Sequence, residues 1–452
     1  MSRTSKKRAQ VARDTLSDWI DGAMRWRLGG FLALCVVLGG TSQDILSLKV
    51  PLYCLSVIVI AGVFASRNRK PIAHLAAPPL LIGGALVALY MLYLVPLPPA
   101  LWTALPGREP VVAGFELLGQ EPAWMPLSLV PDRSLRGLLA FLPPLAVASI
   151  ALTPVSREEF RNALWALLSV ALFSTLLGLA QVMLGLESFR LYAVTNPGLP
   201  VGVFSNINHQ ALLMAAAIPL AFRKIAGADR SGASATDRAL AVAAIVILSL
   251  GITVSGSIAG YGLLVIALTG SLLLSTGRFA LLWLVLIVVA TILLLVFSDL
   301  LLTDAARTEI LTKWGNGSIT SRPYIAARIF DHAPYGWVGA GPGAFEAIYR
   351  AIEDAGMITG VFVNHAHNDY LELYVEFGLF GVAVALATLG WFFVATVRYL
   401  IQRPKGWRRS LLYMLSIGCI LLHSGVDYPL RTPAIAALLV FLVLTAQRRF
   451  AR

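Results

Sequence analysis

The sequence predicts an all-α fold: a polytopic membrane protein with about 12 transmembrane helices and a large outer loop that carries short helices. Composition is the first observation behind this. Hydrophobic residues make up 58% of the 452 and charged residues 13%, and the mean hydropathy is +0.76, so the apolar surface cannot be hidden in one soluble core. Second, apolar stretches of about 17–25 residues, the length that crosses hydrocarbon as a helix, recur along the whole chain. Third, the basic residues fall at alternate helix junctions, as the positive-inside rule requires.

The predicted spans are roughly 28–46, 47–66, 76–98, 135–153, 162–184, 204–222, 239–254, 257–276, 279–298, 369–397, 410–424 and 432–447. Lys6, Lys7, Arg8, Arg25 and Arg27 precede the first, and Arg67, Arg69 and Lys70 follow the second. Arg157 and Arg161, then Arg223, Lys224, Arg230 and Arg238, then Arg278, continue the alternation. Arg398, Arg403, Lys405, Arg408 and Arg409, and finally Arg448, Arg449 and Arg452, complete it and place both termini on the cytoplasmic side. The net charge of +12 is therefore accounted for by topology and by contact with anionic lipid, and no nucleic-acid partner is implied.

No small-residue cleavage site follows the first apolar run, so residues 1–27 read as a retained basic cytoplasmic tail. Cys35, Cys54 and Cys419 all lie within spans, without metal-ligand spacing or a disulfide framework. Residues 225–238 read as a polar cytoplasmic linker. Outside fall residues 99–134, 185–203 and the longest polar piece, 299–368, where an amphipathic helix is expected over 344–355. The organisation is thus a tail (1–27), spans one to nine (28–298), the large loop (299–368), and spans ten to twelve with a basic terminus (369–452).

"VNHAHNDYLELYVEFGLFG", residues 363–381, holds two of the six histidines and three carboxylates at the mouth of the tenth span. Asp369 and Glu372 have the spacing of a capping-box-like helix start, which puts His367 two residues ahead of a helix N-terminus whose dipole favours an anion. Asp369, Glu372 and Glu376 then share one helix face, and Tyr370, Tyr374, Gly378 and Gly381 another, the glycines suiting close approach of a neighbouring helix. Histidines that merely cap, above a solvated acidic face, are the competing account.

The loop "GAGPGAF" followed by "HAHNDYLELYVEFGLFG" resembles the O-antigen ligase and polysaccharide polymerase superfamily of bacterial membrane glycosyltransferases. His367 and Asn368, a nine-residue gap, then Gly378 and Gly381 are similar to its ligase-type signature. "PLPPALWTALPG" (96–107), "PLSLVPDRSLRGLLAFLPPL" (126–145), "VFSNINHQALLMAAAIPL" (203–220) and "HSGVDYPLRTPA" (423–434) resemble its looser blocks.

The resemblance implies transfer of a glycan from undecaprenyl diphosphate to an acceptor glycan or glycolipid hydroxyl, at the periplasmic face of the bacterial inner membrane. The first and last of those looser blocks resemble polymerases of the exopolysaccharide type more than ligases to lipid A core. The donor carries its own leaving group, so neither cofactor nor metal is implied. The partners are that donor, the acceptor and membrane lipid.

The resemblance makes His367 the general base, and His365 is a second catalytic candidate, the alternative being that it is only a neighbour. Arg322 is the arginine for the diphosphate, with Arg328 in reserve, a surface arginine paired with Asp331 being the alternative. Where many members carry an arginine, "TVSGSIAGYG" (253–262) has Ile258, and Arg431, beside Asp427 in "DYPLR", is the candidate replacement, an ordinary salt bridge being the alternative. Asn206, Asn208 and His209, with Asn368, Asp369 and Glu372, are candidates for contacting sugar, and helix capping is the competing account for the asparagines. "GAGPGAF" lacks the strand and lysine of a nucleotide loop and reads as a tight turn. A flippase or transporter of lipid-linked sugar is the alternative function. Against it, no Asp, Glu, Lys or Arg lies between Arg238 and Arg278.

Overall fold

A computed structural model describes residues 25–43, 46–65, 77–231, 234–276, 318–332, 335–353 and 363–448. The expected ninth span, residues 1–24 of the tail and residues 299–317 of the large loop lie outside the described residues. The rest is overwhelmingly helical, as expected. In order come α1 (residues 25–38), α2 (Leu46–Ala65), α3 (Ala77–Tyr93), α4 (Pro99–Trp102), α5 (Glu109–Leu117), α6 (Pro131–Leu139) and α7 (Leu142–Ala151). Then follow α8 (Arg157–Met183), α9 (Ile207–Ser231), α10 (Ala235–Val254) and α11 (Ile258–Thr276). After the gap come α12 (Ser318–His332), α13 (Phe345–Ile352), α14 (Asp369–Phe377), α15 (Leu379–Gln402), α16 (Trp407–Ser424) and α17 (Pro433–Arg448). Two short antiparallel strands, Pro96–Leu97 and Met125–Pro126, pair beside α4 and α5.

Among the described residues, six helices are long and apolar enough to cross a membrane: Ser47–Ala65, Pro131–Ala151, Arg157–Met183, Ala235–Val254, Ile258–Ser275 and Leu379–Gln402. Pro78–Tyr93 and Pro433–Gln447 are shorter apolar helices. Several expected boundaries move. The first span ends at residue 38, where the chain turns at Gly39 and Gly40. The fourth is divided into α6 and α7 just before Pro143 and Pro144, prolines that cannot continue a helical ladder. The expected linker 225–238 is mostly helix, since α9 runs on to Ser231 and α10 starts at Ala235 from a Ser234 capping box.

Helix α9 is the centre of the bundle, packed by α8, α10, α11 and α16. Its Ala-rich run from Ala211 to Ala221 is buried throughout, and small side chains allow backbones to approach. Ser416 of α16 donates across to the Ala216 carbonyl at 2.8 Å, satisfying its hydroxyl inside this apolar packing.

The expected single span beginning at 369 is two helices. Gly378 separates α14 from α15 with φ 57° and ψ −135°, a conformation open essentially to glycine. A Cβ there would meet the Trp337 carbonyl oxygen at 2.1 Å, and one at Gly381 would meet the Leu373 carbonyl at 2.1 Å. The signature's two glycines therefore admit a backbone bend and a loop, where the sequence suggested a neighbouring helix. "GAGPGAF" is the tight turn expected, with positive φ at Gly339, Gly341 and Gly343. Its amides cover the carbonyls that α14 leaves open at its end: Ala340 donates to Val375 at 3.0 Å and Gly341 to Glu376 at 2.8 Å. Buried Arg108, at the start of α5, fastens the same turn, donating to the carbonyls of Leu127 and Gly339. The amphipathic helix forms as α13, shorter than expected, with Phe345, Ile348 and Tyr349 buried.

Gly378→Ala should destabilise the fold by about 3 kcal/mol or more, through forbidden φ and collision with backbone. A thermal melt of the detergent-purified variant unchanged from the parent would contradict this account of the bend.

Candidate functional site

Residues 363–368 run into α14 beside the turn that joins α16 to α17, so His365 and His367 meet residues far along the chain. Helix α14 is capped by Asn368, whose Oδ1 accepts from the amides of Tyr370 (3.0 Å) and Leu371 (3.1 Å). This corrects the expected start: Asp369 is the first helical residue, and His367 stands immediately before the cap. The Asn368 amide also donates to the Gly425 carbonyl at 3.0 Å, tying the helix start to the α16–α17 turn.

His367 has φ 50°, an uncommon left-handed conformation for a side-chain-bearing residue and a frequent mark of functional positions. Its Nδ1 lies 3.3 Å from Oδ1 of Asp427, and its side chain is 29% exposed while Asp427 is wholly buried. A carboxylate at Nδ1 selects the tautomer whose lone pair sits on Nε2. Asp427 is held in turn by Asn208, whose amide donates to Oδ2 at 2.8 Å, and Ser257 donates to the Asn208 carbonyl at 2.7 Å. Burial alone would push the Asp427 pKa up. The hydrogen bond from His367 and the neighbouring His209, His367 and His423 outweigh it and hold the carboxyl well below its ordinary range.

His365 stacks on Tyr428 with ring centroids 4.1 Å apart, and its Nδ1 meets Glu372 at 2.8 Å. Asp369, Glu372 and Glu376 do share a face, as their spacing predicts, but that face is buried against Arg431. One guanidinium nitrogen reaches both oxygens of Glu376, at 3.0 and 2.8 Å, and Nε lies 3.6 Å from Glu372 and 3.7 Å from Asp369. Glu376 also accepts from the Gly343 amide at 2.7 Å. Burial pushes Asp369 up to about 7, against the pull of Arg431, whereas Glu372 overcomes burial through Arg431 and His365 and falls to about 2.

A cavity of about 1480 Å³ is lined by His365, His367, Asn206, Asn208 and Arg322. Arg322 extends from α12, and its buried Nε has no hydrogen-bond partner among the described residues. The other expected arginines are committed elsewhere. Arg328 donates to the Ile352 carbonyl, through Nε at 3.0 Å and again through Nη2, joining α12 to α13. Arg431 reaches the cavity wall, but with its charge shared among three carboxylates rather than beside Asp427 as its sequence proximity suggested. His209 is only 1% exposed, too buried to meet a ligand directly, and its Nε2 lies 3.9 Å from Asp427. His423 is equally buried at the same distance from the other oxygen. Asn206 caps α9, its side chain accepting from the Asn208 amide at 2.8 Å, while also facing the cavity.

Asp427 and Tyr428 are the residues that sequence reasoning did not assign. The available signal was the block "HSGVDYPLR" itself, with a carboxylate four residues after a histidine at a helix end. Among the described residues, no group of three His, Cys, Asp or Glu is arranged to hold a metal ion.

Arg431→Met would strand three buried carboxylates, and breaking a buried pair costs about 3–5 kcal/mol. Arg322→Met, with no such partners among the described residues, should melt close to the parent; equal melting temperatures for the two variants would refute this division of labour.

Residues 243–386 match the family described as O-antigen ligase, a stretch that contains Ile258, Arg322, the glycine turn, both cavity histidines and the two signature glycines. Asp427 and Arg431 lie beyond it. No curated protein matches the chain. Over residues 243–386, which bear the His367–Asn368 to Gly378 and Gly381 signature, the chain is similar to the O-antigen ligase family.

Proposed function

We propose that the protein is a membrane glycosyltransferase of surface-polysaccharide biosynthesis. It moves a glycan from undecaprenyl diphosphate to an acceptor sugar hydroxyl at the periplasmic face of the inner membrane. The observation that carries this reading is His367, backed by buried Asp427, facing one cavity together with Arg322. That cavity continues as an apolar slot between α3, α15 and α17, past Leu80, Val87, Val384, Trp391 and Val443. The slot suits a polyprenyl chain, and its polar end suits the diphosphate.

In the reaction, the acceptor oxygen forms a bond to the anomeric carbon. The bond from that carbon to the diphosphate breaks, and its electron pair leaves with the diphosphate. The hydroxyl proton passes to Nε2 of His367, and Asp427 stabilises the imidazolium that forms. Arg322 holds phosphate oxygens as charge collects on the leaving group. His365, locked by Glu372 and Tyr428, shapes the same wall. The donor supplies the driving force, so the route requires neither nucleotide triphosphate nor metal. Extension of a lipid-linked repeat, rather than ligation to a lipid core, is the favoured form on the resemblance of residues 96–107 and 423–434.

Removing a positioned general base costs about 100- to 10,000-fold in rate. His367→Ala should therefore bind donor and barely transfer it, and Asp427→Asn should fall within the same range with donor affinity kept. Arg322→Ala should weaken donor capture along with turnover, and Arg322→Lys should restore only part, a point charge being a poor copy of a guanidinium fork. Donor binding and glycan transfer measured separately decide this; near-normal transfer by His367→Ala would remove the assigned base.

Orientation is checked independently in a Cys54→Ser background, Cys35 and Cys419 being buried. A cysteine at Arg350 should react with a membrane-impermeant thiol reagent from the periplasm and one at Ala235 should not. Labelling of Ala235→Cys alone would invert the topology.

A further inference from the structure

The wall that carries His367 and Arg322 has a second cavity against it. It measures about 490 Å³, within the ~300–1,000 Å³ usual for small-molecule sites, and shares Asn208, Arg322 and His367 with the larger one. The rest of its lining differs in chemistry. Ile258, Ala326 and Val426 give it a small apolar surface, Asn368 gives it an amide, and no carboxylate lines it among the described residues. The larger cavity, by contrast, includes Asp369, Glu372 and Glu376 and runs on along the spanning helices. The smaller one thus offers an imidazole, one guanidinium and the second N–H of two amides already bonded to Asp427 and Gly425, beside Ile258, Leu371 and Val426, which suits the hydroxyls and C–H faces of a neutral sugar and leaves no long apolar slot for a lipid chain.

We propose that the two cavities divide the substrates: the larger receives the lipid diphosphate donor, and the smaller receives the terminal sugar of the acceptor. This rests on the reading of His367 as the base. Displacement at an anomeric carbon requires the attacking oxygen to enter on the face opposite the departing group. Two cavities meeting at His367 let the acceptor hydroxyl and the diphosphate approach the same carbon without sharing one chamber. The hydroxyl's oxygen bonds to that carbon, its proton goes to His367, and the diphosphate leaves with the electron pair of the broken bond. Ile258 and Ala326 are then specificity-determining: they set how large an acceptor sugar is admitted and take no part in holding the donor.

The test fills the small cavity from two independent positions, Ile258→Trp and Ala326→Trp, using a polyprenyl-diphosphate glycan as donor and a soluble saccharide as acceptor. Both variants should raise the acceptor KM about tenfold or more while leaving donor affinity and acceptor-independent donor hydrolysis at parent levels. An unchanged acceptor KM would overturn the assignment. So would a loss of donor affinity, which would make the small cavity part of the donor site. Should the tryptophan variants fail to fold, Ala326→Cys in the Cys54→Ser background is modified after purification with methanethiosulfonates of increasing size, and acceptor KM should climb with reagent size. A flat response again overturns the proposal. The parent reading fails separately: normal transfer by His367→Ala removes the base whatever the plugged variants do.

Discussion

Asp427 is the constraint on which the site depends. A carboxylate with no exposed surface has to be matched, and the groups that match it come from four places in the chain: Asn208 at the start of α9, His367 before α14, His423 at the end of α16, and the Tyr428 amide beside it. Its backbone carbonyl accepts from the Asp369 amide at 3.2 Å, so the same residue also anchors the beginning of α14. Satisfying one buried charge thereby brings the central helix of the bundle, the histidine segment and the α16–α17 turn into register. The imidazole that results is oriented by a partner it cannot escape.

A second buried charge, Arg431, organises the other side of α14. Three acids on one helical face would repel one another in an apolar setting. A single guanidinium among them, with the His365 ring and the Gly343 and Ala366 amides as further donors, makes the face tolerable. Because Glu376 is shared between Arg431 and the glycine turn, the turn, the acidic face and the helix end form one unit. The consequence for chemistry is a division between arginines. Arg431 is held among carboxylates, and Arg322, whose Nε lacks a partner among the described residues, is the arginine proposed to meet an anion. An isoleucine at 258 is consistent with that economy of charge, since it borders the smaller cavity, where apolar surface rather than a second cation is presented.

Much of this was legible in the sequence. Composition and apolar run length require helices in a membrane, and a helix is a local object whose start, face and end are written within a few residues of one another. The Asp369, Glu372 and Glu376 face, the glycine turn and the position of His367 ahead of a helix start all follow from such spacing. The same reasoning erred where two local signals competed: Asn368 took the cap that Asp369 seemed to offer, and Gly378 broke a run that hydropathy alone carried through.

What only the tertiary structure decided is pairing. His367 and Asp427 are 60 residues apart and Asn208 and Asp427 are 219 apart, separations over which no periodicity carries information. Sequence proximity placed Arg431 next to Asp427, yet the 3₁₀ turn at Pro429–Arg431 delivers it to the acidic face instead, and Arg328 proved to be a strut between α12 and α13. The sequence by itself determined a helical membrane protein with a histidine poised before a capped helix. Which arginine borders both cavities, which carboxylate orients the imidazole, and that two cavities meet there were set by packing, because a buried charge chooses its partner by where the fold puts it and not by its neighbours in the chain.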